Sequence, residues 1–109
     1  MLKLEEFLKT EMRVGTVIRA ENFPEARKAA YRLWIDFGEY GQKKSSAQIT
    51  GRYKPEDLIN RQVIAVTNFP PKRIAGFFSD VLVLGAVPAE GDVILLKPDC
   101  QVKPGTRVL

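Results

Sequence analysis

"YRLWIDFGEYGQKKSSAQIT", residues 31–50, decides how the chain reads. From Tyr31 to Phe37 the residues alternate. Tyr31, Leu33, Ile35 and Phe37 take one face, and Arg32, Trp34 and Asp36 the other. A period of two marks a half-buried strand, because successive side chains of extended backbone point to opposite faces. Gly38-Glu39-Tyr40-Gly41 supplies a reversal. Lys44 to Thr50 then sets Ser45, Ala47 and Ile49 against Lys44, Ser46, Gln48 and Thr50. These two strands leave one polar face that carries an indole, Trp34, among cations and hydrogen-bonding groups.

The rest of the chain extends this pattern. Arg13 to Ala20 alternates Val14, Thr16, Ile18 and Ala20 against Arg13, Gly15, Val17 and Arg19, which predicts an earlier strand. Leu4 to Lys9 reads as one or two turns of helix. Lys54-Pro55-Glu56-Asp57-Leu58 reads as a short helix opened by proline at its first position. Gln62 to Asn68 and Val81 to Ala86 are apolar on both faces and predict well-covered central strands. Asp92 to Lys97 and Arg107 to Leu109 predict two further strands. Five or more short strands with one helix between the third and fourth predict an all-β fold. It is a five-stranded Greek-key barrel of the oligonucleotide/oligosaccharide-binding (OB) type, with an N-terminal helix and extra C-terminal strands. Ligands of such barrels lie on strands two and three, framed by the loops that join strands one to two and four to five.

With 109 residues, the chain is expected to form one domain, residues 1–109. Cys100 is the only cysteine, so no intrachain disulfide can form, and the composition fits a reducing, cytoplasmic setting. The N-terminal stretch has acids within its apolar pattern and is not expected to be a signal peptide. No apolar run approaches the roughly 18–20 residues that span a membrane, so no membrane insertion is expected. The absence of histidine excludes Ser-His-Asp and Cys-His catalysis and, with one cysteine, the usual zinc sites. Carboxylate-only or Ser-Lys chemistry remains open, but Glu25, Asp36 and Asp80 show no convincing pairing. The net charge of +4 permits an acidic partner.

If the barrel is correct, residues 68–80, "NFPPKRIAGFFSD", form the loop from strand four to strand five. They bring Asn68, Lys72, Arg73, Phe77, Phe78 and Ser79 to the face that carries Arg32, Trp34, Lys44, Ser46 and Gln48. Phe77 and Phe78 are consecutive and cannot both face one core from extended chain. One is expected beneath the loop and the other against a partner. Phe23 and Phe69, each before a proline, are expected to staple their loops to the barrel. The face suits phosphates and stacked bases. It equally suits an extended polypeptide, whose apolar side chains would meet Trp34, Phe77 and Phe78.

Four stretches carry a resemblance. They are Arg13-Val14-Gly15-Thr16-Val17, Tyr53-Lys54-Pro55-Glu56-Asp57-Leu58, the run from Asn68 to Leu82, and Ser45-Ser46-Ala47-Gln48-Ile49-Thr50 with Asn68-Phe69-Pro70-Pro71. Together they resemble the tRNA-binding OB domains appended to methionyl- and phenylalanyl-tRNA synthetases. Within that superfamily they are more similar to its small export-related chaperones. The chain departs from the tRNA-binding pattern at Val81-Leu82, at Phe23-Pro24 and at Ser46-Ala47-Gln48, all on or beside the expected ligand surface. The resemblance implies a homodimer with neither catalysis nor cofactor. Its implied partners are unfolded or precursor polypeptides and the export machinery, with tRNA as the alternative on the same face. Leu4, Phe7 and Leu8, with Val108 and Leu109, are the residues expected to pair the subunits.

Overall fold

The computed structural model describes residues 1–109. One helical turn, α1 (Leu4–Phe7), precedes β1 (Met12–Asn22), β2 (Tyr31–Asp36) and β3 (Gln42–Ala47). A second turn, α2 (Pro55–Leu58), leads to β4 (Gln62–Val66), β5 (Lys72–Ile74), β6 (Phe77–Ser79) and β7 (Leu82–Val83). The chain ends with β8 (Gly85–Ala89), β9 (Asp92–Leu95) and β10 (Arg107–Val108). The main sheet runs β3-β2-β1-β4-β7, with β10 also paired to β1. The fold is mostly β, a barrel of the OB type as the sequence predicts, with α2 between its third and fourth strands.

Bonds other than a regular ladder close the barrel between β3 and residues 79–81, which lead into β7. Lys44 N donates to Asp80 Oδ2 (3.0 Å), Ser46 N to Ser79 Oγ (2.9 Å), and Ser45 Oγ to Val81 O (3.0 Å). Asp80 N in turn donates to Lys44 O at 2.8 Å. Short polar side chains therefore stand in for backbone groups along the upper part of the seam.

Inside the barrel, Leu33, Ile35 and Phe37 of the second strand region and Leu58 of α2 are fully buried, with Val17, Val63 and Ala65 beside them. Burying a side chain of this size contributes about 1.5–3 kcal/mol. Two hydrogen bonds fix α2: Asp57 N to Lys54 O (3.0 Å) and Lys54 N to Asp57 Oδ2 (3.1 Å). Pro55 sits where no amide is needed. At the other end, the Gln62 side chain grips the backbone of Val102, and Gly105 N donates to Val14 O (2.7 Å).

Four local expectations change. β1 carries a bulge between Val17 and Arg19, so its strict alternation breaks: Gly15, Val17 and Ala20 turn toward the core, and Arg19 pairs across to Trp34. The extra residue, Ile18, flips the parity that a period-two reading assumes. Residues 68–80 hold a hairpin, β5–β6, rather than irregular loop. The strand expected over Val81 to Ala86 is divided. β7 pairs with β4, whereas β8 joins β9, leaving Leu82 half exposed. A side chain at Gly85 would meet Val93 at 2.5 Å, so this close crossing requires glycine. Finally, Phe69 is exposed and does not act as a staple, whereas Phe23 is buried as one.

Candidate functional site

The outward faces of β1, β2 and β3 line up in register. Arg19, Trp34 and Lys44 form one row across three strands, and Glu21, Arg32 and Ser46 the next. Glu21 lies against both arginines, with its Oε1 3.0 Å from Arg32 Nη2 and its other oxygen on Arg19. Arg19 also stacks on Trp34, 4.4 Å from the ring centroid. The bulge produces this contact, which the alternation alone does not foretell.

The β5–β6 hairpin folds over these rows. Its turn is Ala75-Gly76, both at positive φ (46° and 81°), the geometry of a type I′ hairpin. Lys72 pairs with Ser79, Arg73 with Phe78, and Ile74 with Phe77. Alternation therefore gives Lys72, Ile74, Phe77 and Ser79 one face and Arg73 and Phe78 the other. Phe77 is partly buried, edge-on to Trp34 at 5.8 Å and to Phe23 at 5.5 Å, with the Lys44 ammonium 5.1 Å from its ring. Phe78 is 47% exposed, with the Arg73 guanidinium 6.0 Å from its ring centroid. The paired phenylalanines divide as expected, Phe77 within and Phe78 without.

This arrangement alters the expected site. Trp34 is not an open platform, because Phe77 and Arg19 cover it. Phe23, expected only as a staple, belongs to the aromatic stack, and Arg32 lies 5.2 Å from its ring. Ser79 Oγ accepts the Ser46 amide and so serves the barrel seam. Asn68 lies apart from the cluster: it accepts from Glu11 N (3.0 Å) and donates to Lys9 O (2.8 Å), pinning the segment after α1. Arg107 donates to Leu8 O (3.0 Å) and Thr10 O (3.1 Å) of the same segment. That end of the molecule therefore gathers exposed Leu4, Leu8 and Leu109 with partly buried Phe7 and Val108.

Open space lies beside the aromatic cluster. One cleft of about 620 Å³ runs between Glu25–Lys28 and the hairpin, with Arg27, Lys28, Lys72 and Arg73 on its walls. A second, of about 360 Å³, lies between Phe69, Pro70, Ile74 and Leu82. A third, of about 350 Å³, is lined by Ile49, Leu82, Val83, Val87 and Val93. Ser46 and Gln48 line all three. The three spaces thus form one groove centred on the end of β3, basic at one end and aliphatic at the other. Glu25 lies in the loop at its basic end, Asp36 caps Gly38 N (2.8 Å), and Asp80 bonds Lys44 N. No three His, Cys, Asp or Glu side chains gather as a metal site.

Comparison with known proteins agrees with this geometry. The family described as "Putative tRNA binding domain" matches residues 12–107. The chaperone CsaA of Bacillus anthracis str. Ames superposes with a TM-score of 0.97 at 60% identity, covering 100% of this chain and 99% of that one. The CsaA chaperone protein of Picrophilus torridus superposes with a TM-score of 0.93 at 49% identity, covering 100% of both chains. A methionine–tRNA ligase of Porphyromonas gingivalis is 37% identical over 98% of this chain. The match spans only 15% of that ligase, so the likeness is to an appended part of it.

Proposed function

The chain belongs to the tRNA binding domain family, and from that premise we propose that it is a non-catalytic binding module, a cytoplasmic export-related chaperone. It works as a homodimer and holds unfolded or precursor polypeptides for the export machinery. The observation that carries this reading is the groove at Ser46 and Gln48, where aliphatic walls adjoin a cationic end. Aliphatic walls gain by covering apolar side chains of a client, and nucleic acid offers none. The likeness to two CsaA chaperones over the whole chain supports the same choice. The subunits pair through Leu4, Phe7, Leu8, Val108 and Leu109, apolar surface of the kind that dimer interfaces cover.

Ser46, Gln48, Lys72, Arg73 and Phe78 keep their expected place in this reading and others shift. Gln48 and the Ser46 carbonyl meet the client backbone. Lys72 and Arg73 meet its acidic groups or the phosphates of RNA. Phe78 and Phe69 supply exposed ring surface, and Trp34, Phe77 and Arg32 support the face from beneath. The experiment is suppression of aggregation of a chemically denatured client, comparing the parent with a Phe69→Ser, Leu82→Ser double variant. Both residues are half exposed, so the variant retains the core. Weaker protection by the variant supports the groove. Equal protection overturns it.

The second reading is tRNA binding on the same face, favoured by the cluster of Arg27, Lys28, Lys72 and Arg73 at one cleft. It predicts affinity that falls steeply with salt, with a slope set by the number of phosphates neutralised. A low-salt titration that detects no tRNA binding removes it.

A further inference from the structure

The outer edge of β3 changes character along its length. Lys44 and the Ser46 amide are engaged across the seam by Asp80, Val81 and Ser79. One residue pair further on, this closure stops. Gln48 N–H and C=O make no backbone bond and meet no side chain, and Ser46 O has only a 3.5 Å contact from Ser45 Oγ. In β3, Ser46 lies opposite Arg32 and Ala47 opposite Tyr31, and the engagement of Lys44 and Ser46 N across the seam identifies the outward-pointing groups as those of even-numbered residues. Gln48 N and Gln48 O are therefore unpaired groups on one exposed edge, and Ser46 O beside them has only the long contact from Ser45 Oγ. They border the aliphatic end of the groove, where Ile49, Val83 and Val93 form the floor and Val87 and Leu82 stand exposed.

We propose that this gap in the barrel wall is a strand-addition site: a client polypeptide binds in extended form along β3, completing its ladder through Ser46 and Gln48. The inference rests on the polypeptide reading above and gives that reading its chemistry. An extended peptide supplies an N–H for Ser46 O, a C=O for Gln48 N and an N–H for Gln48 O. Every second side chain then enters the aliphatic slot, and the groove continues at Ser46 and Gln48 into the cleft with Arg27, Lys28, Lys72 and Arg73. Main-chain bonds accept any sequence, whereas the slot selects small aliphatic side chains and the basic end selects a flanking acid. Nucleic acid fits this edge poorly, since it offers neither the backbone spacing of a strand nor aliphatic side chains.

The test uses the full chain and a fluorescein-labelled peptide of alternating valine and threonine with an aspartate at each end. Anisotropy gives affinity, and amide exchange followed by NMR gives the site. Saturating peptide is expected to slow exchange of the Gln48 amide at least about tenfold, as a newly paired strand amide does. Gln48→Pro removes an amide that the fold does not use and is expected to weaken binding about five- to tenfold, whereas Gln48→Ala, which loses the same side chain but keeps the amide, is expected to bind more tightly than Gln48→Pro. Val87→Asp, at an exposed position of the slot, is expected to weaken binding as well. If the peptide binds but the Gln48 amide exchanges unchanged and Gln48→Pro binds normally, strand addition is overturned and the polypeptide groove survives. If the parent binds neither this peptide nor a denatured client, the polypeptide reading itself fails and takes strand addition with it. A Gln48 amide protected without peptide, and released on dilution, identifies a second copy of the chain as the occupant and also overturns the proposal.

Discussion

Phe77 meets Trp34 edge-on, ring centroids 5.8 Å apart and planes at 74°, so a residue of the β5–β6 hairpin covers the only tryptophan of the chain. Indole emission therefore reports on the hairpin without interference. Phe77→Ala removes this cover and the contact with Phe23. It is expected to shift Trp34 emission to longer wavelength and raise its quenching by acrylamide. Urea denaturation is expected to show a loss of about 2 kcal/mol, below the range for a fully buried phenylalanine because Phe77 is only partly enclosed. Unchanged quenching would mean that the hairpin does not hold this position in solution.

Phe78, its neighbour, provides the contrast. It points away from the barrel beside Arg73 and is 47% exposed. Phe78→Ala is expected to change stability by no more than about 0.5 kcal/mol, as surface substitutions usually do. If Phe78 contacts clients, the same variant weakens protection against aggregation. A stability loss matching that of Phe77→Ala would contradict the division of the pair.

The hairpin turn predicts a gain. Ala75 has φ of 46°, a conformation that costs an ordinary L-residue about 1–2 kcal/mol. Asparagine tolerates it better and, followed by Gly76, makes the Asn-Gly pair that type I′ turns favour. Ala75→Asn is expected to stabilise the protein by about 0.5–1 kcal/mol and to reduce Trp34 quenching slightly. Lower stability would place the turn in another geometry.

Gly15 shows how much of this was legible beforehand. The alternation of Tyr31 to Phe37 was clear because its inward residues are large, and Leu33, Ile35 and Phe37 are indeed fully buried. In the first strand the inward residues include a glycine and the alternation is interrupted at Ile18, so the sequence pattern put Gly15 and Val17 on the face of Arg19. A bulge has no composition of its own here. It decides that Arg19 stacks on Trp34, and that contact was invisible for the same reason. The hairpin was hidden because each of its strands has three residues, too few for a period to register. Asn68 stood in the expected site by its place in the chain, but its bonds to Lys9 and Glu11 come from the third dimension alone.

A side chain at Gly15 would start 2.5 Å from Ile35 Cγ2 and 2.7 Å from Phe37, both fully buried. Both neighbours belong to the buried core cluster, where displacing one side chain disturbs the rest. Gly15→Ala is expected to cost about 2–3 kcal/mol by overpacking, read as a lower urea midpoint with unchanged slope. An alanine accommodated without loss would mean that the β1–β2 spacing is looser than described.

Acid tests the tie between the turn at Arg52 and β9. The Arg52 guanidinium hydrogen-bonds the Asp92 carboxylate, with Nη2 3.0 Å from Oδ2. That hydrogen bond is the main cause holding the Asp92 carboxyl below its ordinary range, against an opposing effect of desolvation. It also raises the Arg52 guanidinium, which stays charged at every working pH. A carboxylate lowered in the folded state means that the unfolded chain takes up the proton first as pH falls. The stabilisation is therefore present above the ordinary carboxyl value of about 3.9 and is lost as pH falls below it. Asp92→Asn keeps the shape and cannot titrate. Between about pH 5 and pH 2.5, the parent is expected to lose more of its urea midpoint than Asp92→Asn does. Arg52 is exposed and Asp92 partly so, which keeps the difference modest and makes it shrink with added salt. Parallel acid profiles would show that Arg52 and Asp92 do not hold one another in solution, and that β9 is positioned instead by Leu95 N donating to Tyr53 Oη at 3.0 Å.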